Sequence, residues 1–315
     1  MITRLRLAGR CFWIVAILLV LKAPAYAGEP QLDAQRAFGY LTEICKIGPR
    51  ISGSEGMTRQ RELLEAHFTK LGATIGYQEF DAVHPQTGAP VRLANMIVSW
   101  HPETTSRVLL ACHYDTRPFP DQDPNPAYRT RPFLGANDGA SGVALFMELG
   151  HHLPTAPTKY GVDFILFDAE ELIYSDRDKY FLGSTYFATQ YRDAPPEHQY
   201  VCGVLVDMIG DKDLHIFQEQ NSLKHAPTLT RSLWAAAARA GLKKEFIPRP
   251  KHEVRDDHLP LNEIAKIPTC DVIDFDYPYW HTRNDVPAAC SGASLVKVGR
   301  VLLDWLPQVP ADPGK

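Results

Sequence analysis

Apolar residues along the chain fall into short continuous runs that are separated by polar turns. Continuous runs of this length are typical of strands that are buried on both faces of a sheet. The pattern therefore predicts five core strands: Leu93–Trp100 (LANMIVSW), Arg107–Asp115 (RVLLACHYD), Val162–Ala169 (VDFILFDA), Val201–Ile209 (VCGVLVDMI) and Pro268–Phe275 (PTCDVIDF).

Segments with a helical period lie before, between and after these runs. Strands that alternate with helices indicate an α/β fold, here a single domain whose largely parallel central sheet is flanked by helices. One polar, proline-rich stretch, 116–132, is predicted to be a long loop, and loops of this length are often functional. The predicted helices are Asp33–Ile47, Arg59–Leu71, Ala140–His152, Phe181–Gln190, Ser222–Ala240 and Ser294–Leu306.

The first 27 residues follow a different pattern. Arg4, Arg6 and Arg10 precede an apolar run from Cys11 to Leu21, and Ala25-Tyr26-Ala27 supplies small residues for a cleavage site. This arrangement is typical of a secretory signal peptide. The apolar run is shorter than the roughly 20 residues of a membrane-spanning helix, so an anchor is the weaker interpretation. We expect residues 1–27 to be a signal peptide, residues 28–315 to form the folded domain, and the product to be periplasmic or extracellular without a stable membrane anchor.

Charge and cysteine content narrow the function classes. Loss of the four basic residues of the leader changes the formal net charge from −4 to −8. No basic stripe remains, so nucleic acid is not an expected partner.

The remaining cysteines are odd in number and widely spaced, which favours buried thiols over a disulfide framework. They are Cys45, Cys112, Cys202, Cys270 and Cys290.

Polar side chains gather where the predicted strands end. In open α/β sheets, ligands bind outside the carboxyl ends of the strands. Any single Asp or His there is usually a helix cap or a structural residue. Together, however, His, Asp and Glu are the ligand types of a catalytic zinc site, and a dication would offset the cost of buried carboxylates. The residues concerned are His113, Asp115, Asp138, Glu170, Glu171, Asp207 and His281.

Two adjacent carboxylates, Glu170 and Glu171, have a specific use at such a site. Neighbouring side chains in a turn point in different directions. One can therefore bind a metal while the other faces the substrate as general acid and base.

The chain contains six motifs in this order: GPRISGSEG, CHYDT, GANDGASG, DAEEL, LVDMIG and WHTRND. Taken together, they resemble those of the zinc aminopeptidase and glutaminyl cyclase family of exopeptidases. The resemblance covers nearly the whole domain and implies a phosphorylase/aminopeptidase-like fold with zinc at the carboxyl edge of the sheet. It also implies that Asp138, Glu171 and His281 are zinc ligands and that Glu170 is the general acid/base.

The two branches of this family imply different roles for the remaining residues. In the two-zinc aminopeptidases, His113 and Asp207 match the ligands of a second zinc, Asp138 bridges the two ions, and Asp115 orients His113. In the cyclases, which usually hold one zinc, Asp207 matches a catalytic aspartate that shares a hydrogen-bond network with the match of Asp256. The ligand types alone do not separate the branches.

Other segments favour the cyclase branch. The segment Arg255–Pro268 resembles the cyclase DDH segment, and Trp280 matches an indole wall beside the substrate glutamine, although ordinary core packing explains a tryptophan equally well. Animal cyclases place a second tryptophan where this chain has Asp176, and Tyr174 is a candidate substitute.

The preferred hypothesis is a zinc-dependent glutaminyl-peptide cyclotransferase that acts on peptide or protein N-termini and releases ammonia. The alternative is a two-zinc aminopeptidase in which Glu170 deprotonates the attacking water. A non-catalytic exported binding domain is a third hypothesis, and the oligomeric state stays open.

Overall fold

A six-stranded mixed sheet forms the centre of the fold. The computed structural model describes residues 31–314, so the predicted signal peptide lies outside the described residues. The strands follow the spatial order β1-β2-β4-β3-β5-β8, and β6 and β7 form a separate two-stranded sheet. Their bounds are β1 Thr74–Val83, β2 Pro90–Trp100, β3 Ser106–His113, β4 Gly161–Phe167, β5 Gln199–Asp207, β6 Ile216–Glu219, β7 Phe246–Lys251 and β8 Thr269–Ile273.

The strands β4, β3, β5 and β8 are parallel to one another, whereas β1 and β2 run antiparallel at one side. The largely parallel sheet predicted from the apolar runs is therefore confirmed. Its consequence for function is geometric, because His113, Phe167, Asp207 and Ile273 end the four parallel strands at the same edge.

Helices cover both faces of the sheet. They are α1 Ala34–Ile47, α2 Glu55–Lys70, α3 Ala140–Leu149, α4 Leu182–Asp193, α5 Gln220–His225, α6 Pro227–Arg239, α7 His258–Glu263 and α8 Gly292–Trp305. Alternate residues of β3 point to opposite faces, since Leu110 and Cys112 join the core cluster under α1, α3 and α8, while Leu109 and Ala111 join the cluster under α4 and α7. Every residue of α3 is buried.

The structure corrects the predicted elements in two ways. The helix predicted over 222–240 is two helices, because Pro227 has no N–H to continue α5 and instead starts α6. The helix predicted from Arg59 begins at Glu55, where the Ser54 side chain accepts a hydrogen bond from the Met57 amide. The strands β1, β6 and β7 and the short helix α7 are additional elements.

No helix within residues 31–314 is long and apolar enough to cross a membrane.

Candidate active site

A cavity of about 300 Å³ opens at the carboxyl edge of the parallel strands. It brings together residues from the turns after β4 and β5, the turn before α3 and the segment after β8. Every metal-ligand, catalytic and substrate-binding candidate of the one-zinc hypothesis lines it. The lining residues are Asp138, Glu170, Glu171, Tyr180, Phe181, Asp207, Glu253, Val254, Arg255, Asp256, Ile273, Phe275, Trp280 and His281.

Asp138 lies between two histidines. Its Oδ1 is 3.2 Å from Nε2 of His113, and its Oδ2 is 3.4 Å from Nε2 of His281. His281 Nε2 is also 3.3 Å from Glu171 Oε2, and His113 Nε2 is 3.3 Å from Asp207 Oδ1. The structure thus gathers all five metal-ligand candidates into one group centred on Asp138, in which only Asp207 is partly exposed.

The turn that carries Asp138 is fixed from two sides. Asp285 accepts hydrogen bonds from the backbone amides of Asn137 and Asp138, at 2.7 and 3.1 Å. Gly139 has a φ of 89°, and a side chain there would come within 2.5 Å of the Asp115 carbonyl oxygen. Glycine is therefore required for the turn to approach β3 closely enough to place Asp138 beside His113.

The turn that carries Glu170 and Glu171 depends on Asp115. This fully buried carboxylate accepts one backbone hydrogen bond from each glutamate, at 3.1 and 3.2 Å. Ala169, which precedes them, has a left-handed φ of 55°. This conformation costs a non-glycine residue about 1–2 kcal/mol. The two hydrogen bonds to Asp115 offset this cost, and the turn that they hold directs the two glutamate side chains differently. Asp115 also lies 3.6 Å from Nδ1 of His113.

The carboxyl groups of the site differ in how readily they ionise. Although burial opposes ionisation, hydrogen bonding to His113 and the charge of His281 lower the pKa of Asp138. Burial raises the pKa of Glu170 and Asp256 well above the usual range, and neighbouring carboxylates raise it further. Burial likewise raises the pKa of Asp207, and it raises the pKa of Glu171 to about 7. The protein groups alone therefore favour an ionised carboxylate at Asp138 and oppose ionisation of the carboxyl groups around it.

The donor set around Asp138 fits a divalent metal. One ligand atom each from His113, Asp138 and Glu171 lies within 4.8 Å of the other two, and His281 contacts two of these residues. Asp138 Oδ2 is buried without a hydrogen-bond partner, which is costly unless an ion or water satisfies it. Imidazole nitrogen and carboxylate oxygen are the donors that zinc accepts at catalytic sites.

Aromatic side chains form the outer wall of the cavity. The Trp280 ring stacks on His281 with centroids 4.0 Å apart and is 37% exposed, so core packing does not explain it. Tyr180 lines the same cavity. Tyr174, the candidate substitute for the missing tryptophan, is not among the residues that line the cavity, and its hydroxyl lies 3.3 Å from His84 Nε2.

Several residues that organise the site carry weaker sequence signals. Asp285 lies inside the quoted motif WHTRND, four residues after His281, but the resemblance assigns it no role. Arg117 and Asp121 lie in the 116–132 loop, where no periodicity or motif marks them. Their contacts with Glu171 and His281 are visible only in three dimensions.

Comparison with known proteins agrees with this geometry. The model of peptidase family M28 matches residues 95–306. The crystal structure of Fimbriiglobus ruber glutaminyl cyclase is 42% identical, with a TM-score of 0.84 over 87% of this chain and 95% of that chain. A leucine aminopeptidase precursor from Bacteroides thetaiotaomicron is 31% identical, with a TM-score of 0.83 over 90% and 99% of the two chains.

A curated relative extends the similarity beyond bacteria. The glutaminyl-peptide cyclotransferase-like protein of Mus musculus is 26% identical over 303 residues, which cover 88% of this chain and 76% of the relative. The family match spans the strands and turns that build the cavity, and the solved structures cover nearly the whole fold. On these grounds, the chain belongs to peptidase family M28.

Proposed function

We propose that this protein is a zinc-dependent glutaminyl-peptide cyclotransferase that converts an N-terminal glutamine to pyroglutamate and releases ammonia. The observation that carries the proposal is the lining of one cavity. It joins the metal-ligand candidates to Glu170 and Asp256, whose pKa burial raises strongly, and to the partly exposed indole of Trp280. The 42% identity to a bacterial glutaminyl cyclase supports it.

The residues Asp138, Glu171 and His281 would hold the zinc. When bound, zinc supplies Lewis acidity to the γ-carbonyl group of the substrate glutamine. The cavity is small enough to hold the glutamine side chain and its α-amine together, so the ring closure gains from proximity. Trp280 forms the wall that keeps the side chain in place and limits the access of water.

Proton transfer falls to Glu170. The α-amine attacks the carbonyl carbon of the side-chain amide, forming the new C–N bond, and the Glu170 carboxylate accepts the proton that the amine loses. Glu170 then returns this proton to the side-chain amide nitrogen as the C–N bond to it breaks and ammonia leaves. Asp207 and Asp256 accept hydrogen bonds from the nitrogen groups during the transfer. A raised pKa makes the Glu170 carboxylate a stronger base, and a zinc ion held nearby would favour its ionised form before it takes the amine proton.

A two-zinc aminopeptidase is the second candidate. The contacts of His113 with Asp138 and Asp207 favour it, since these three residues would hold a second ion. In that case Glu170 would take a proton from the attacking water. The similarity to a leucine aminopeptidase precursor supports this candidate too.

We also propose that the protein is exported and acts on peptide or protein N-termini in a periplasm or outside the cell. Residues 1–27 contain basic residues, then an apolar run, and near their end the small residues Ala25 and Ala27. This pattern supports a cleaved leader and a catalytic domain over 28–315.

The test is mass spectrometry of a peptide that begins with glutamine, incubated with the mature protein with and without a zinc chelator. A chelator-sensitive loss of ammonia, with the chain otherwise intact, is the expected result. Loss of the whole first residue would instead establish the aminopeptidase. Elemental analysis of the same preparation distinguishes one zinc ion per chain from two.

A further inference from the structure

The loop formed by residues 116–132 lies against two of the metal-ligand candidates. It follows β3 directly, and Arg117 and Asp121 contact the segments that carry Glu171 and His281. These contacts join two parts of the chain that are more than 100 residues apart. A loop that is this long and without helix or strand over most of its length requires a reason for its fixed position.

Arg117 contacts Glu171 in two ways. Its backbone amide donates a hydrogen bond of 2.7 Å to Glu171 Oε1, and its Nη1 lies 3.7 Å from Oε2. The Arg117 side chain is only 5% exposed. The backbone amide holds one carboxylate oxygen and the buried guanidinium lies beside the other, so together they fix the orientation of the Glu171 side chain.

Asp121 connects Arg117 to His281. Its Oδ1 accepts a hydrogen bond of 2.6 Å from Arg117 Nε, and the same oxygen lies 3.3 Å from His281 Nδ1. The other ring nitrogen of His281, Nε2, faces Asp138 and Glu171. A carboxylate beside Nδ1 favours the tautomer with the proton on Nδ1, which leaves the Nε2 lone pair for a metal.

The rest of the loop holds this arrangement in register. The backbone amide of Gln122 donates a hydrogen bond of 3.1 Å to the backbone carbonyl oxygen of His281. Asp123 accepts one of 3.0 Å from the Arg283 amide, and the Arg283 guanidinium lies 3.7 Å from the centre of the Tyr128 ring. His281 has a left-handed φ of 52°. The loop thus supports a strained backbone at the residue whose ring it also orients.

We infer that Arg117 and Asp121 are positioning residues that fix the side chains of Glu171 and His281 for metal binding, and this inference rests on the zinc site of the proposed function. The pair bears on both ligands, because Arg117 contacts Glu171 and also donates a hydrogen bond to the Asp121 oxygen that lies beside His281. Arg117 also donates a hydrogen bond of 3.0 Å to the Tyr180 hydroxyl. The same guanidinium therefore ties the metal ligands to the aromatic wall of the cavity.

The variants Asp121→Asn and Arg117→Gln test the inference in the full mature chain. The zinc dissociation constant is measured by competition with a chromophoric chelator, and the cobalt-substituted proteins are compared by visible absorption. Loss of a group that orients a metal-binding histidine typically weakens metal affinity by about 10–100-fold. We expect a loss of this size and a changed cobalt spectrum for both variants. The double variant should lose little more than either single one, because both residues act through one pair.

Asp304→Asn is the matched control. Asp304 accepts a hydrogen bond of 2.7 Å from Arg239 in an exposed Arg–Asp pair on other elements, and its loss should leave zinc affinity within twofold. Should Asp121→Asn fail to fold, as judged by circular dichroism, Asp121→Glu replaces it and should retain most of the zinc affinity, since it keeps a carboxylate.

Unchanged zinc affinity and an unchanged cobalt spectrum in Asp121→Asn would overturn the inference. A zinc-binding wild-type protein that releases no ammonia from glutamine peptides would count against the cyclase proposal alone, because the affinity comparison would still decide the role of the loop.

Discussion

The Glu170→Gln variant separates the chemical role of Glu170 from its structural role. Glutamine has nearly the same shape, and the backbone amide that bonds Asp115 is unchanged. The variant removes only the group that accepts and returns the proton. General acid–base groups typically contribute 10²–10⁴-fold to a rate, which corresponds to about 2.7–5.4 kcal/mol in the activation free energy. We expect kcat for ammonia release to fall by this factor while zinc remains bound.

The same substitution should not destabilise the metal-free fold. Burial and the charges of Glu171 and Asp256 raise the pKa of Glu170 well above the usual value. The folded state therefore favours the protonated form, and ionisation of Glu170 disfavours folding as the pH rises above the unfolded pKa. A neutral glutamine escapes this cost, so Glu170→Gln should be as stable as the wild type at pH 5 and more stable at pH 8.

Three measurements complete this test. Ammonia release gives kcat, elemental analysis gives the zinc content, and urea denaturation of the metal-free protein gives the free energy of unfolding. The control is Glu79→Gln. Glu79 lies on the edge strand β1 and forms an exposed pair with Arg92 of β2, so its replacement should leave kcat unchanged. The reasoning fails if Glu170→Gln keeps more than a tenth of the wild-type kcat, or if its lost activity accompanies a loss of stability.

Three further outcomes are expected. Trp280→Ala should raise KM about tenfold with little change in stability, because its ring is partly exposed against His281, and an unchanged KM would remove Trp280 from the substrate wall. Zinc at 100 times its dissociation constant should raise the free energy of unfolding of the metal-free protein by about 2.7 kcal/mol, which thermal denaturation with and without chelator measures. Although burial opposes ionisation, contacts with His152 and Arg36 lower the pKa of Glu148 to about 2, so Glu148→Gln should cost about 3 kcal/mol at pH 7. Because the pKa is depressed on folding, that cost should decrease as the pH falls from 4.5 towards 2, and a cost independent of pH in urea denaturation would contradict it.

The sheet and the position of the site were accessible from the sequence for a simple reason. Strands such as β4, buried along their whole length, are almost entirely apolar, and the one charged residue of β4, Asp163, pairs with the buried Arg107. Parallel strands end at a common edge, so polar residues that follow them, such as Glu170 and Asp207, are brought together by topology alone. This holds even though no sequence pattern reports the distance between them.

The missed elements lack these signals. β1 is an edge strand with one buried residue, Phe80, so no apolar run marks it. β7 contains Pro248 and Pro250, which argue against a strand. They are tolerated because both strands of a two-stranded sheet are edge strands, each with one unpaired side. The contact of Asp121 with His281 is invisible for another reason. It depends on the path of a loop, and loop paths are set by many weak contacts instead of a period.

The adjacency of Glu170 and Glu171 explains how one cavity can hold both a cation and proton-carrying carboxyl groups. Glu171 faces His281 and the Arg117 amide, so cationic and donor groups surround it on the side of Asp138. Glu170 lines the same cavity as Asp256 and Asp207, and the charges of Glu171 and Asp256 make its ionisation costlier. Two adjacent residues, both held through their backbone amides by Asp115, therefore supply a metal-ligand candidate and a proton-transfer group to one cavity. Ammonia release needs both at once, because the γ-carbonyl must be polarised while a nearby group takes and returns a proton.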